Sequence, residues 1–341
     1  MADTLFCVDF GESFIKVADA KKDGSLIDVS SLGFAEVSPA FYSADTEKVI
    51  GDHATIIQKL LGTLKIAKKN VNVVIPDTYS YSQVLDMPKL NEKELISAIK
   101  YQADQFIPMP IDEVNIDVEI LSESAKENKL LVLMIASSKK LIEKIQKTVE
   151  LAGLIPESIE NELSACSRFA VDIFSNVQSA SGILLVNLSL NTTSLYFFDP
   201  RFHLITQTRN FNTGFYIFLK ETALNLNLTQ TQAAEALKSH QAGQQSSLPI
   251  ESNVEPVVKE FGSEVKRFIN VIAQRFQMNI GTILLLNDSF RFPSLAKLVE
   301  NSIGIPTSVI NPYSVLKKNP SVEFFKQNLS LFISSIGGNL R

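Results

Sequence analysis

Two segments half a chain apart read as the same small unit. The first is Leu5-Phe6-Cys7-Val8-Asp9-Phe10-Gly11-Glu12-Ser13-Phe14-Ile15-Lys16-Val17-Ala18-Asp19, and the second runs from Leu184 to Asp199. Each begins with an apolar run of buried-strand length, turns through polar residues, and continues as a second strand. Setting Val8 against Val186 places Asp9 on Asn187, Gly11 on Ser189 and Ser13 on Asn191, next to Thr192. One such unit opening each half points to two domains of similar topology facing each other, and 341 residues suffice for two ordinary domains.

The first turn carries residue types suited to phosphate. A carboxylate at the end of a strand, Asp9, can hold Mg²⁺ directly or through water. Gly11 permits close backbone approach, and successive N–H groups with the Ser13 hydroxyl can cradle phosphate oxygens. Lys16 adds a point charge. The same residues also make a plain hairpin.

Composition removes several alternatives. Lys plus Arg number 32 against 37 Asp plus Glu, a net charge of −5 with no strongly basic block, which argues against a nucleic-acid binder. Cys7 and Cys166 stand in no metal-type spacing, and the three histidines are scattered. The start lacks the charged region of a secretory signal, and no apolar run approaches the roughly 20 residues of a membrane span. A cytoplasmic chain meeting the membrane only through partners is expected.

Between the two units, Val71 to Pro76 and Ser80 to Met87 read as strands, and Asn91 with Glu94 as the capping box of a helix that carries Leu95 and Ile99 on one face. Val114 to Leu121 and Leu130 to Ala136 are further strands. Ser137 and Ser138 precede a helix through Leu151, closed by Gly153 and Pro156. A compact β-α-β-β-α module within the first domain results.

The run Met87-Pro88-Lys89-Leu90 … Glu94-Leu95 … Ala98-Ile99 … Ile107-Pro108-Met109-Pro110 … Glu113-Val114 … Asp117 resembles the inserted subdomain of the PilM family of type IV pilus assembly proteins, actin-like relatives of FtsA. Ala152-Gly153-Leu154, Ile159-Glu160-Asn161-Glu162, Ala234 to Lys238, Asn311-Pro312-Tyr313 and Gly337-Gly338-Asn339 extend the resemblance along nearly the whole chain. It implies an α/β, actin-like (ribonuclease H-like) two-domain fold. Domain 1 would span 1–178, with its core in 1–79 and 155–178 and the inserted subdomain in 80–154; domain 2 would span 179–341, with an outer part near 220–262. ATP and Mg²⁺ are implied between the domains, and a cytoplasmic scaffold that captures the N-terminal tail of a PilN-like inner-membrane protein. The tail groove would be lined from Val71 to Met87 and Asn91 to Asp117, with other platform proteins and motor ATPases as further partners.

On this pattern Asp9, with Mg²⁺, and Gly11, Ser13, Lys16, Thr192, Glu235 and Lys238 are nucleotide-site candidates that match. Asn187, Ser189, Gly214 and the pair Asn287-Asp288 occupy the remaining positions but depart from the pattern. Asn187 replaces an aspartate, Ser189 a glycine, and Asn287-Asp288 a glycine pair; Gly214 keeps one of two expected glycines. Glu160 and Glu162 are the candidates for orienting a water. An eroded second half of the cleft implies little or no turnover. A small-molecule kinase or an FtsA-like filament protein are the alternative readings. Ser239 to Ser247 reads as a polar connection. The apolar Phe324 to Ile336 reads as a terminal helix packed onto the body, because it lacks the basic face of a membrane anchor.

Overall fold

The structure, a computed structural model, describes residues 5–107, 109–124, 129–177, 179–243 and 248–341. Strands β1 (Leu5–Phe10), β2 (Phe14–Asp23) and β3 (Leu26–Glu36) form an antiparallel meander. Helices α1 (Ala40–Ser43) and α2 (Glu47–Leu64) then carry the chain to β4 (Asn70–Ile75), parallel to β1. The Thr46 hydroxyl accepts the N–H of Val49 at the start of α2, and Lys65 ends it in the left-handed region. Ile50, Ile57 and Leu61 bury the apolar stripe of α2.

The chain next leaves the main sheet. Strand β5 (Ser80–Pro88), helix α3 (Glu92–Phe106), and strands β6 (Val114–Ser124) and β7 (Lys129–Ser138) build a separate antiparallel sheet of order β5-β7-β6. The capping box is present: Asn91 N–H donates to Glu94 Oε2 at 3.1 Å, and Glu94 N–H to Asn91 Oδ1 at 3.0 Å. Leu95 and Ile99 pack with Met87, Val114, Val132 and Met134 in a core of its own. Helix α4 (Lys139–Leu151) returns the chain, and its Ile145 and Val149 are buried among Phe6, Val8 and Ile57 of the main body. Strand β8 (Ile155–Asn161) completes the sheet β3-β2-β1-β4-β8, and α5 (Glu162–Ile173) follows.

The second half repeats this plan. Strands β9 (Gly182–Leu188), β10 (Thr193–Asp199) and β11 (Leu204–Phe211) form the meander. Helices α6 (Phe215–Asn225), α7 (Gln230–Ser239) and α8 (Ile250–Phe276) lead to β12 (Ile280–Asn287), and α9 (Leu295–Ile303) to β13 (Thr307–Val309). The order β11-β10-β9-β12-β13 matches that of the first sheet, with β9, β12 and β13 parallel. The register matches as well: Val8 faces Val17 and Asp9 faces Lys16, while Val186 faces Leu195 and Asn187 faces Ser194. The fold is thus the actin-like pair expected, and the Asp9–Lys16 ion pair of the first domain has a neutral counterpart in the second.

Helix α10 (Pro320–Phe324) and the buried α11 (Ile333–Asn339) end the described chain. Although α11 follows domain 2, it packs against α5, β1, β2 and β4 of domain 1. Gly337 and Gly338 make this possible. A Cβ at Gly337 would strike the carbonyl of Ala165, and one at Gly338 would lie 2.6 Å from Val74 Cγ2 and 2.7 Å from Cys7 Sγ. Phe332, Ile333 and Ile336 join Phe169, Leu163, Tyr196 and Leu286 in one apolar core spanning both domains. The expected packing is present, but the stretch from Phe324 is not one helix, since Phe324 ends α10 exposed and α11 begins only at Ile333. Both cysteines are buried and free.

Candidate functional site

The polar ends of β1 and β9 face each other across the domains. Asp9 and Lys16, on neighbouring strands, lie fully buried with Lys16 Nζ 2.8 Å from Asp9 Oδ2. Lys16 also donates to Asn287 Oδ1 at 3.2 Å and Ser334 Oγ at 3.3 Å, and lies 3.8 Å from Glu162 Oε1. The Ser334 hydroxyl in turn donates to Asp9. Burial alone would lower the Lys16 pKa; the carboxylates of Asp9 and Glu162 override it and push it up to about 12.

Glu162, the first residue of α5, is the hub on the other side. Its Oε1 accepts from Asn287 Nδ2 at 3.1 Å, and its Oε2 from Asn187 Nδ2 at 3.0 Å and the N–H of Asp77 at 3.3 Å. Burial pushes its pKa up to about 8, with Asp9 and Asp77 adding to the effect and Lys16 opposing it. Asp77 is likewise raised by burial while the Tyr196 hydroxyl, which donates to it, pulls the other way.

Nearer the mouth, Ser13 Oγ donates to Asp288 Oδ2 at 3.1 Å and receives Arg291 Nη1 at 3.2 Å. Burial raises the Asp288 carboxyl to about 6 against the pull of Arg291 and Lys16. The Arg291 guanidinium stacks 4.1 Å from the Phe215 ring centroid and 5.5 Å from that of Phe14, one ring from each domain. Glu12 receives the backbone N–H of Asn191 at 3.1 Å, its side-chain amide at 2.8 Å and the Tyr79 hydroxyl at 3.2 Å. Thr78 and Thr192 hydroxyls meet at 2.7 Å.

A second concavity lies between the inserted sheet and the core of domain 1. A groove of about 680 Å³ runs between β6 and the main body, where Ile75, Ile159 and Arg168 line it. Asn115 through Ile120 all border it. Side chains of a strand alternate between faces, so six consecutive residues border one space only where the strand presents its edge. β6 is an edge strand, paired to β7 alone among the described strands. Leu340 and Arg341, just beyond α11, also line it.

Residues 7–341 match the family described as type IV pilus assembly protein PilM. The chain belongs to the PilM family. Among solved structures, the PilM–PilN type IV pilus biogenesis complex is similar over 99% of both chains, with a TM-score of 0.83 at 18% identity. The ethanolamine utilization protein EutJ from Carboxydothermus hydrogenoformans is similar over 98% of this chain and 88% of its own, with a TM-score of 0.54 at 12% identity.

Against the PilM-based expectations, the cleft gathers Asp9, Gly11, Ser13, Lys16, Glu162, Asn187, Ser189, Thr192, Asn287 and Asp288. Glu160 is elsewhere: it forms a bidentate pair with Arg168 (3.0 and 2.7 Å) beside the groove, because the chain turns from β8 into α5 between it and Glu162. Glu235 and Lys238 are exposed on α7, outside the hydrogen-bonded cluster. Gly214 starts α6, where a Cβ would meet the backbone of Leu190 and Asn191. The groove takes in Ile75, Leu95, Ile96 and Asn115 to Asp117 of the expected stretches, but also Val118 to Ile120, Ile142, Arg168 and Arg341. Ser239 to Gly243 leave α7, while Gln244 to Ser247 of that connection lie outside the described residues.

The residues present do not fit ATP with Mg²⁺ as they stand. The space bordered by Gly11, Ser13, Lys16, Ser189 and Asp288 amounts to about 10 Å³, room for one water and far below the roughly 300–1,000 Å³ of small-molecule sites. Asp9 Oδ1, Asn187 Oδ1 and Asp288 Oδ1 lack a protein donor among the described residues; of the three residues only Asp288 borders that space, where a water can donate to it. Asn287 keeps a glycine-like backbone at φ 60° while its side chain fills the volume a glycine would leave free.

Proposed function

We propose that this chain is an adaptor of the type IV pilus assembly platform that captures the N-terminal tail of a PilN-like membrane protein in the groove between β6 and domain 1. Family membership supports the setting, and the free edge of β6 along a 680 Å³ groove is the observation that carries the docking mode. An extended tail adds to that edge through main-chain hydrogen bonds, while alternate side chains enter the apolar floor at Ile75, Ile96 and Ile159. Asp117 and Glu119 on the strand favour a tail with basic residues; Glu160 is already neutralised by Arg168.

No helix among the described residues is long and apolar enough to cross a membrane. Recruitment to the cytoplasmic face of the inner membrane would then follow from the captured tail, with other platform proteins and motor ATPases joining there. A small-molecule kinase is disfavoured by the narrow space, about 10 Å³, left where the phosphates would lie among Gly11, Ser13, Lys16 and Asp288. The test is fluorescence anisotropy with the synthetic tail of the PilN-like protein from the same organism. Saturable binding that weakens at least tenfold in Ile120→Arg, a residue 48% exposed at the groove, is expected. Equal affinity for the variant, or no binding to the wild type, overturns the reading.

A further inference from the structure

We infer that the interdomain cleft is an interlock closed by the chain's own side chains, so that this protein holds its domains together without ATP and does not bind it. The inference is independent of tail capture. The cation and the hydroxyl that a nucleotide phosphate would engage already have protein partners, while Asp9 Oδ1 and Asp288 Oδ1 keep no protein donor among the described residues. Lys16 is committed to Asp9, Asn287 and Ser334, and Ser13 to Asp288 and Arg291. The first amides of α6, whose helix end would otherwise offer an anion site, are also spent: Phe215 and Tyr216 N–H donate to the Ser189 and Leu190 carbonyls at 2.8 Å each.

Charge points the same way. The carboxyls of Asp9, Glu12, Asp77, Glu162 and Asp288 outnumber the nearby cations Lys16 and Arg291. An incoming triphosphate would add negative charge beside Asp9, Glu12 and Asp288 with only Lys16 and Arg291 close by, and Asp288 stands where the expected pattern calls for a glycine. The contacts that exclude ATP also join the domains. Ser13–Asp288, Lys16–Asn287, Glu12–Asn191 and Glu162–Asn187 each link one half of the chain to the other. Outside them, Phe290 packs on Phe14, 5.8 Å between centroids, so the segment after β12 is buttoned onto β2.

The test uses the purified full chain. Thermal unfolding is followed with and without 1 mM Mg-ATP, and a fluorescent ATP analogue is titrated with and without EDTA. A site with a Kd of about 10 µM would raise the Tm by several degrees at that concentration. No shift and no saturable fluorescence change are expected; either one overturns the inference. Small-angle scattering of the nucleotide-free chain should fit the closed arrangement, and an expanded particle that contracts with Mg-ATP would also refute it. The double variant Glu12→Ala/Arg291→Ala, at the rim, should lower the Tm by several degrees with no rescue by Mg-ATP; an unchanged Tm would show that these contacts do not hold the domains.

Discussion

Glu162 makes stability depend on pH in an unusual direction. In the unfolded chain its carboxyl titrates near the ordinary value of 4.5; folded, burial lifts it to about 8. Below pH 4.5 both states are protonated and the folded state bears no cost. Between 4.5 and 8 the unfolded chain releases its proton while the folded chain keeps it, so stability falls as pH rises, and the loss is complete above 8. At about 1.36 kcal/mol per pKa unit, the change is on the order of 5 kcal/mol. Asp288, lifted from 3.8 to about 6 by burial, acts with the same sign at lower pH. Urea unfolding at intervals from pH 5 to pH 9 should show the midpoint dropping steadily. Glu162→Gln should flatten this dependence: less stable than the wild type at pH 5, by about 1 kcal/mol for an impaired hydrogen-bond set, and equal or more stable at pH 9. Wild-type stability that is level or rises over this range, or variant and wild-type curves that stay parallel, would refute the reasoning.

Lys16→Met strands Asp9 and Glu162 without their cation and should cost about 3–5 kcal/mol in the same unfolding assay; a loss below about 1 kcal/mol would mean that Lys16 is not the centre of the interlock. Gly337→Ala forces a methyl into the Ala165 carbonyl, where only backbone can yield, so a loss of about 3 kcal/mol or failure to accumulate folded protein is expected, measured against a Gly62→Ala control at an exposed helical position with open space for the methyl.

The repeat was readable because it is local. Strand runs, a polar turn and their spacing specify β1–β2 and β9–β10 without any distant information, and Asn91 with Glu94 marks the start of α3 in four residues. Substitution of the cleft was also visible: Asn287-Asp288 in place of glycines announced added volume. What those side chains do there was not visible. Lys16 meets Asn287 and Ser334 only through folding, and nothing near Glu12, Asp77, Tyr196 or Arg291 in sequence marks them as partners across the domains. Glu160 and Glu162 illustrate the difficulty at close range. Two residues apart at a strand-to-helix junction, one pairs with Arg168 at the groove and the other enters the cleft, because the junction turns the chain between them.

Helix α11 ties the order of synthesis to the order of assembly. The first sheet is made early, yet Cys7, Val74 and Ala165 are covered by residues 337 and 338. During translation, at roughly 5–20 residues per second, β1 and β4 therefore wait many seconds with an apolar flank uncovered before the segment that seals it emerges. Such long-range closure slows folding and leaves that flank open to wrong partners in the interval. A version of the protein shortened by the α11 residues would be expected to lose the first domain as much as the second, although none of the missing residues precedes the midpoint of the chain.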